Sequence, residues 1–155
     1  MIIKMLHLKR TDSSDPDFIL LVRLLDTDLA TRDGEDHAFY AQYNKVDSIR
    51  HIVVVYKGAM PVGCGAFKSF GESTVEIKRM FVLPELRGWG IAGAILFELE
   101  AWAGESGYAR CVLETGKKQP EAIRLYEKSG YETIPNFGQY AGVENSVCME
   151  KILKK

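Results

Sequence analysis

The chain has 155 residues, of which 46% are apolar and 26% charged, and its formal net charge at pH 7 is −1. This size and composition are typical of one soluble domain with a single core, so a second domain is not expected. The balanced charge predicts no basic face for nucleic acid, and the short apolar runs predict neither a membrane span nor a signal peptide, which favours a cytoplasmic protein.

The first half of the chain contains the signals of two helices and four strands. A strand is predicted over residues 1–8. Asp15 followed by Pro16 is typical of a helix start, and apolar residues then recur at helical spacing as far as Gly34. A second, short helix is predicted over 35–44. Strands are predicted over 51–56, 62–68 and 74–82, and their short connections indicate an antiparallel meander.

The second half alternates helices and strands, which makes the domain mixed α/β. A helix is predicted over 88–105, a strand over 110–114 and a helix over 120–129, followed by strands near 131–134 and 146–152. Gly107 and Gly130 are expected to end the two helices.

The three cysteines form an odd, scattered set in apolar, strand-like segments: Cys64, Cys111 and Cys148. This pattern predicts reduced core thiols rather than a disulfide framework or a metal site, and no bound metal is expected. The alternative is that one of them is a reactive thiol.

A glycine-rich turn lies between the third strand of the meander and the following helix. Its Gly88 and Gly90 have no Cβ, so the main chain of the turn can approach a ligand closely. The first N–H groups of the helix point outward at the positive end of its dipole. This turn therefore predicts a phosphate-binding site, most simply for a pyrophosphate.

The same turn has the spacing of a dinucleotide-binding loop. Gly88, Gly90 and Gly93 fit that pattern, and Glu114 follows Gly93 by 21 residues, where an acidic ribose ligand is expected. The preceding strand is too polar for a Rossmann unit, however, and the turn is too long. About 60 residues remain after the motif, which is too few for the further βα units of a dinucleotide crevice.

Two segments instead resemble the motifs of a known enzyme family. One segment is Arg87-Gly88-Trp89-Gly90-Ile91-Ala92, and the other contains Ala122, Leu125, Tyr126, Gly130 and Tyr131. They are similar, in the same order, to the acyl-CoA loop and the later Ala-x-x-Leu-Tyr-x-x-x-Gly-Tyr helix of the GCN5-related N-acetyltransferases (GNAT). The resemblance covers roughly residues 50–153, and two motifs at the right separation make it specific.

The resemblance implies the GNAT acyl-CoA N-acyltransferase fold in a single domain over residues 1–155. Its central mixed sheet is mostly antiparallel, with about seven strands flanked by four helices. It also implies acetyl-CoA as co-substrate, with the pyrophosphate on main-chain N–H groups and with pantetheine amides paired to the preceding strand. The implied cofactor-binding residues are Met80, Phe81, Val82, Arg87, Gly88, Trp89, Gly90, Ile91, Ala92, Gln119 and Tyr126.

Transfer of an acetyl group to an amine needs a proton donor for the departing thiolate and a neutral amine. The resemblance assigns the general acid to Tyr126, whose ordinary role would be packing in an amphipathic helix. It suggests Glu76 as the general base. Because strand side chains alternate every two residues, Glu76 is expected on the same face as Met80 and Val82.

The role of Glu76 has open alternatives. An ion pair with Lys78 or with a lysine on the neighbouring strand would explain it equally well, and such pairs are common. Glu114 or a water molecule are the other candidates for the base. His37 and His51 are weaker ones, because isolated histidines are usually surface or packing residues.

The acceptor is the part that the sequence describes least. Candidate acceptor-binding residues are three tyrosines and one acid, Tyr40, Tyr43, Glu114 and Tyr140, which combine an aromatic pocket with attraction for an ammonium group. The leading function is an N-acetyltransferase acting on a primary amine of a small molecule, amino acid or peptide. The alternatives are a non-catalytic acyl-CoA-binding module and a nucleotide-dependent oxidoreductase. A homodimer is a further expectation, since strand edges often pair between subunits in this family.

Overall fold

In this computed structural model, residues 5–33 and 49–153 are described, and they form one sheet with helices packed on both faces. The strands are β1 (Leu6–Thr11), β2 (His51–Lys57), β3 (Met60–Gly71), β4 (Thr74–Val82), β5 (Arg110–Gly116), β6 (Glu132–Ile134) and β7 (Ser146–Ile152). The helices are α1 (Pro16–Asp33), α2 (Ile91–Glu105) and α3 (Pro120–Lys128), and short 3-10 turns span Pro84–Leu86 and Gly138–Tyr140.

The seven strands lie in the order β1-β2-β3-β4-β5-β7-β6. All neighbouring pairs are antiparallel except β4 and β5, which run parallel. This confirms the seven-stranded, mostly antiparallel mixed sheet. Three helices occur in the described ranges, against four expected; the helix predicted over 35–44 lies outside them.

Several element ends differ from the prediction for local reasons. Helix α2 begins at Ile91 rather than 88, because Gly88 and Gly90 have φ values of +88° and +83°, outside the helical region. The first strand is shifted to Leu6–Thr11 from the predicted 1–8, of which residues 1–4 are not described. Gly107 and Gly130 follow α2 and α3 with positive φ, as expected.

Helix α1 starts as the sequence predicts. A side-chain oxygen of Asp15 accepts hydrogen bonds from the main-chain N–H groups of Asp17 at 2.9 Å and Phe18 at 3.3 Å, which caps the helix. Phe18, Leu21 and Leu25 are buried against the sheet. The opposite face of the sheet is covered by α2 through Ile91, Ile95, Leu96, Leu99 and Ala103.

A β-bulge interrupts β4. Between the pairs Cys64–Phe81 and Ala66–Lys78, β3 advances by two residues and β4 by three, and Arg79 has φ +60°. The extra residue reverses the side-chain alternation. Val82 therefore packs with α2, whereas Phe81 packs with α1.

The bulge corrects one prediction about Glu76. On β4, the α2-facing core contains Val75 and Ile77 before the bulge, so Glu76 lies on the opposite face, toward α1. Met80 and Val82 pack on the α2 side after it. The expectation that Glu76 shares a face with Met80 and Val82 is wrong, because a strict two-residue period holds only in a strand without a bulge.

β4 and β5 separate soon after they meet. Their ladder joins Thr74 to Arg110, Val75 to Cys111 and Glu76 to Val112. Beyond Glu76, β4 remains paired with β3, while β5 pairs with β7 along its whole length. The facing edges of β4 and β5 therefore diverge toward the glycine turn at the start of α2.

The thiols of all three cysteines lie in the core. Cys64, Cys111 and Cys148 are buried and unbridged, as the sequence predicts for core thiols. Within the described ranges, no helix has the length and hydropathy needed to cross a membrane.

Gly65 in β3 allows the bulge to pack beneath α2. A Cβ atom at this position would lie 2.6 Å from Met80 Sδ, 2.7 Å from Ile95 Cγ2 and 2.9 Å from Leu99 Cδ1. These distances are too short for carbon or sulfur contacts, so any larger residue at 65 would displace Met80 or the helix.

We expect Gly65→Ala to lower the free energy of unfolding by about 1–3 kcal/mol, the usual cost of overpacking a core. Gly71→Ala is the matched control, because it lies in the same strand and an added Cβ would meet nothing within 4 Å. Urea unfolding of the two variants measures the difference. Equal midpoints would contradict the tight packing at Gly65.

Candidate active site

A cavity of about 560 Å³ lies where β4 and β5 separate. The ends of both strands, the turn before α2, the first turn of α2 and the start of α3 form its walls. It brings together most of the residues that the sequence singled out, namely Glu76, Met80, Phe81, Val82, Arg87, Gly88, Gly90, Ile91, Ala92, Glu114, Gln119, Tyr126 and Tyr140.

Some predicted residues are not in this group. Trp89 is 53% exposed, and the cavity is lined by its two glycine neighbours instead. Tyr40, Tyr43 and His37 lie outside the described residues. His51 is stacked on Phe67, with ring centroids 4.5 Å apart, in an aromatic cluster that does not line the cavity.

The turn before α2 has the geometry of an anion site. Gly90 is the N-cap residue in the left-handed conformation and provides no side-chain cap. Gly88, Gly90, Ile91 and Ala92 line the cavity, and the first N–H groups of a helix have no intrahelical partners. The arrangement can bind the oxygens of a phosphate group.

Arg87 braces this turn. Its Nε donates a hydrogen bond to the Val82 carbonyl at 2.9 Å, a terminal nitrogen lies 3.5 Å from an Asp28 carboxylate oxygen, and the guanidinium lies over the Phe81 ring. The guanidinium thus ties the turn to β4 and α1. The sequence did not indicate these contacts, since the resemblance implies Arg87 only as a cofactor-binding residue.

Tyr126 is held on the other side of the gap, on α3. Its side chain is almost fully buried, and burial, together with the charge of Glu114, raises the pKa of its phenol. Its ring contacts Tyr131 at 5.8 Å, and its carbonyl accepts the Tyr131 N–H at 3.0 Å. The phenol therefore stays protonated at neutral pH beside the cavity, where it can donate a proton.

Glu76 and Lys78 form a buried pair on the α1 side of β4. The Lys78 ammonium lies 3.9 Å from a Glu76 carboxylate oxygen, and both side chains are under 10% exposed. Burial raises the pKa of Glu76, against the opposing charges of Lys78 and Lys68. Burial also lowers the pKa of Lys78. Each group is thus shifted toward its neutral form, and the ion-pair alternative for Glu76 is present in the structure.

Glu114 and Tyr140 complete this polar side of the cavity. Glu114 lies at the end of β5, and its charge acts on the pKa of Tyr126, Tyr140 and Lys78. Tyr140 is buried in the 3-10 turn Gly138–Tyr140, and burial raises the pKa of its phenol. The Glu114 carboxylate can accept a proton from an amine that is bound on this side of the cavity.

Gln119 occupies the N-cap position of α3. Its N–H donates to the Gly116 carbonyl at 2.9 Å, and its carbonyl accepts from Ala122 and Ile123. The side chain borders the cavity near the end of β5. Its amide is therefore available to the cavity on a main chain fixed by the helix start.

The structure adds two features that sequence reasoning missed. Helix α1 contributes Leu25, Asp28 and Leu29 to the wall, although their helical spacing only indicated packing. Phe70, at the end of β3, contacts Phe137 at 4.8 Å, and Phe137 contacts Tyr140 at 6.0 Å. This aromatic row joins the end of β3 to the segment before β7, which is distant from it in the sequence.

Comparison with known proteins agrees with this geometry. A sequence model of the Acetyltransferase (GNAT) family matches residues 19–131. The chain is 40% identical over 106 residues to the IAA acetyltransferase of Azospirillum brasilense. The matched segment covers 68% of this chain and 69% of that protein.

Solved structures show the same fold. A Klebsiella pneumoniae protein, solved as a candidate acyl-CoA N-acyltransferase, has a TM-score of 0.81 at 28% identity, over 97% of this chain and 99% of its own. The PaiA N-acetyltransferase of Thermoplasma acidophilum, solved with coenzyme A, has a TM-score of 0.71 at 14% identity over 95% and 98% of the two chains, and it supports the fold alone. With the family match spanning most of its length, the chain belongs to the GNAT family of acetyltransferases and is an acyltransferase.

Proposed function

We propose that this enzyme transfers the acetyl group of acetyl-CoA directly to a primary amine of a small molecule, an amino acid or a peptide. The observation that carries the proposal is the cavity between β4 and β5, which is bordered by a phosphate-binding turn, an open strand edge and a buried phenol. An extended phosphate ester with amides along its length fits these three features. The family match favours acetyl-CoA over a dinucleotide for the same turn.

The cofactor is proposed to lie along this gap. Its pyrophosphate would accept hydrogen bonds from N–H groups of residues 87–92, with Gln119 as an additional amide contact. Its pantetheine amides would pair with the main chain of Met80, Phe81 and Val82, where β4 faces no neighbour in β5. The β4 edge supports this because strand groups that lack a partner bind extended amides.

Tyr126 is proposed as the general acid. Its phenol is protonated at neutral pH and borders the cavity, so it can give a proton to the thiolate of coenzyme A as the carbon–sulfur bond breaks. Its burial excludes bulk water, so that electrostatic interactions between the phenol and the developing thiolate are stronger than in water.

Glu76 is proposed as the general base, with Glu114 and a water molecule as the alternatives. A carboxylate whose pKa is raised by burial is a better proton acceptor than an exposed one. Tyr40, Tyr43, Glu114 and Tyr140 are proposed to contact the acceptor. The cytoplasmic location and the homodimer expected from the sequence stay predictions.

We expect Gly90→Val to abolish cofactor binding, because a branched residue is strained at φ +83° and would distort the turn. At a hundredfold excess over its Kd, acetyl-CoA should stabilise the parent protein by about 2.7 kcal/mol and the variant not at all. Gly104→Val, at the far end of the same helix and with open space around it, is the control. Thermal unfolding with acetyl-CoA, CoA and NAD provides the measurement. Full stabilisation of the Gly90→Val protein by acetyl-CoA would show that the turn is misassigned.

We expect Tyr126→Phe to lower kcat by about 10²–10⁴ and to leave acetyl-CoA affinity unchanged, because the change removes only the proton donor. Tyr131→Phe is the matched control. It removes the neighbouring buried hydroxyl, which donates to Glu100 at 2.9 Å, and should cost stability but not turnover. Release of the free thiol of CoA measures kcat. The non-catalytic alternative is correct if the parent and both variants bind acetyl-CoA but none of them releases thiol with any amine.

The pH dependence of kcat/KM tests the identity of the base. If Glu76 is the base, kcat/KM rises with pH as its carboxyl loses a proton, and burial places this rise above the ordinary glutamate range. Glu76→Gln should lower kcat and remove that acidic limb, while Glu114→Gln should retain it. If Glu114→Gln loses the acidic limb and Glu76→Gln retains it, Glu114 is the base. If both variants retain it, water is the base.

A further inference from the structure

Lys78 is a buried lysine that the proposed reaction does not use. Its side chain is 8% exposed, whereas those of Lys9 and Lys151 are 41% and 30% exposed. It lies on β4 immediately before the bulge and lines the same cavity as Tyr126 and Met80. A lysine with this burial and position lies inside the candidate active site.

The position of Lys78 relative to the reacting atoms follows from the proposed cofactor path, on which this inference rests. If pantetheine pairs with residues 80–82, its acyl end points back along β4, toward residue 78. Tyr126 belongs to the core on the α2 side of the sheet, whereas Lys78 lies on the α1 side with Glu76. An amine on the side of Lys78 can therefore approach the thioester without displacing the Tyr126 phenol.

The surroundings of Lys78 favour a neutral amine. Burial lowers its pKa most, and the charges of Lys68 and Arg79 lower it further, against the opposing charges of Glu76 and Glu114. Glu76, at 3.9 Å and with its own pKa raised by burial, is the nearest proton acceptor on the strand. Transfer of a proton from Lys78 to Glu76 removes two buried charges, whose desolvation is unfavourable.

We propose that Lys78 is a self-acetylation site, whose side-chain nitrogen takes the acetyl group from bound acetyl-CoA when no acceptor amine is present. The ammonium first loses a proton to Glu76. The nitrogen then forms a bond to the thioester carbon, the carbon–sulfur bond breaks, and the thiolate takes a proton from Tyr126. The second nitrogen proton returns through solvent to the Tyr126 phenolate, and Glu76 releases its proton to solvent. The products are an acetamide at Lys78, free coenzyme A and one released proton.

The modified residue has a defined effect on the site. Acetylation removes the positive charge of Lys78 and its ion pair with Glu76, and it adds an acetyl group inside the acceptor side of the cavity. The added acetyl group occupies space that an acceptor amine needs and so opposes its binding. Self-acetylation therefore lowers turnover progressively in protein that is kept with acetyl-CoA alone.

The test uses the complete chain and acetyl-CoA labelled with deuterium in its acetyl group, without acceptor. Peptide mass spectrometry then compares labelling of Lys78 with that of Lys68. Lys68 is the internal control, because it is exposed and lies opposite Glu76 in the β3–β4 ladder. Thermal unfolding with acetyl-CoA is recorded in parallel as an independent measure of cofactor binding.

Proximity in a bound complex predicts that Lys78 is labelled at least about tenfold faster than Lys68. This result, together with suppression of the labelling by excess CoA, would support the proposal. Tyr126→Phe should slow labelling of Lys78 and leave that of Lys68 unchanged. Equal or absent labelling of Lys78 in protein that acetyl-CoA stabilises would overturn self-acetylation alone. Absence of any stabilisation by acetyl-CoA would overturn the cofactor assignment and the self-acetylation together.

Lys78→Arg separates the chemical step from the structural effect of the residue. Arginine retains the positive charge beside Glu76 but is not a nucleophile at neutral pH. Preincubation with acetyl-CoA should lower the subsequent turnover of the parent protein and not that of Lys78→Arg, each compared with its own unincubated sample. The same time-dependent loss in both proteins would contradict an effect of acetylation at Lys78.

Discussion

The separation of β4 from β5 is the constraint on which the rest of the site depends. A parallel pair with a full ladder would leave no space between the strands, and the α2 turn, β4 and Tyr126 would not border one cavity. The ladder ends at Glu76, and three residues later the bulge at Arg79 inserts an additional residue into β4. Gly65 permits this arrangement, because it leaves room for Met80 beneath α2.

Burial in this gap also determines the chemistry of its side chains. The same loss of water raises the pKa of Tyr126 and Glu76 and lowers that of Lys78, so that each is shifted toward its neutral form. A protonated phenol on one side and a carboxylate on the other are groups that can serve acyl transfer to an amine as proton donor and proton acceptor. Arg87, in contrast, pairs with the Val82 carbonyl and the Asp28 carboxylate, outside the turn that precedes α2.

The sequence predicted those parts of the protein that depend on local signals. The seven strands, the capped start of α1 and the glycine turn follow from alternation, Asp15-Pro16 and the two motifs, and all lie close to the expected positions. The bulge was not predictable, because it arises from the packing of Met80 under α2, and it moved Glu76 to the face opposite Met80 and Val82. The bracing role of Arg87 and the row formed by Phe70, Phe137 and Tyr140 were missed for the same reason, since they join residues that are distant in the sequence.

The short β4–β5 ladder has a mechanical consequence. Strands β1–β4 form one half of the sheet and β5–β7 the other, and three residue pairs join them at one end. At this same end, Glu100 on α2 binds both Tyr131 and Lys151, at 2.9 Å and 2.8 Å, and Lys151 pairs with Cys111 of the short ladder. The main chains of the two halves are therefore joined at one end only, while a shared core under α2 packs against both. A ligand that pairs with the open edge of β4 would act as the missing strand, so that cofactor binding would also extend the contact between the two halves.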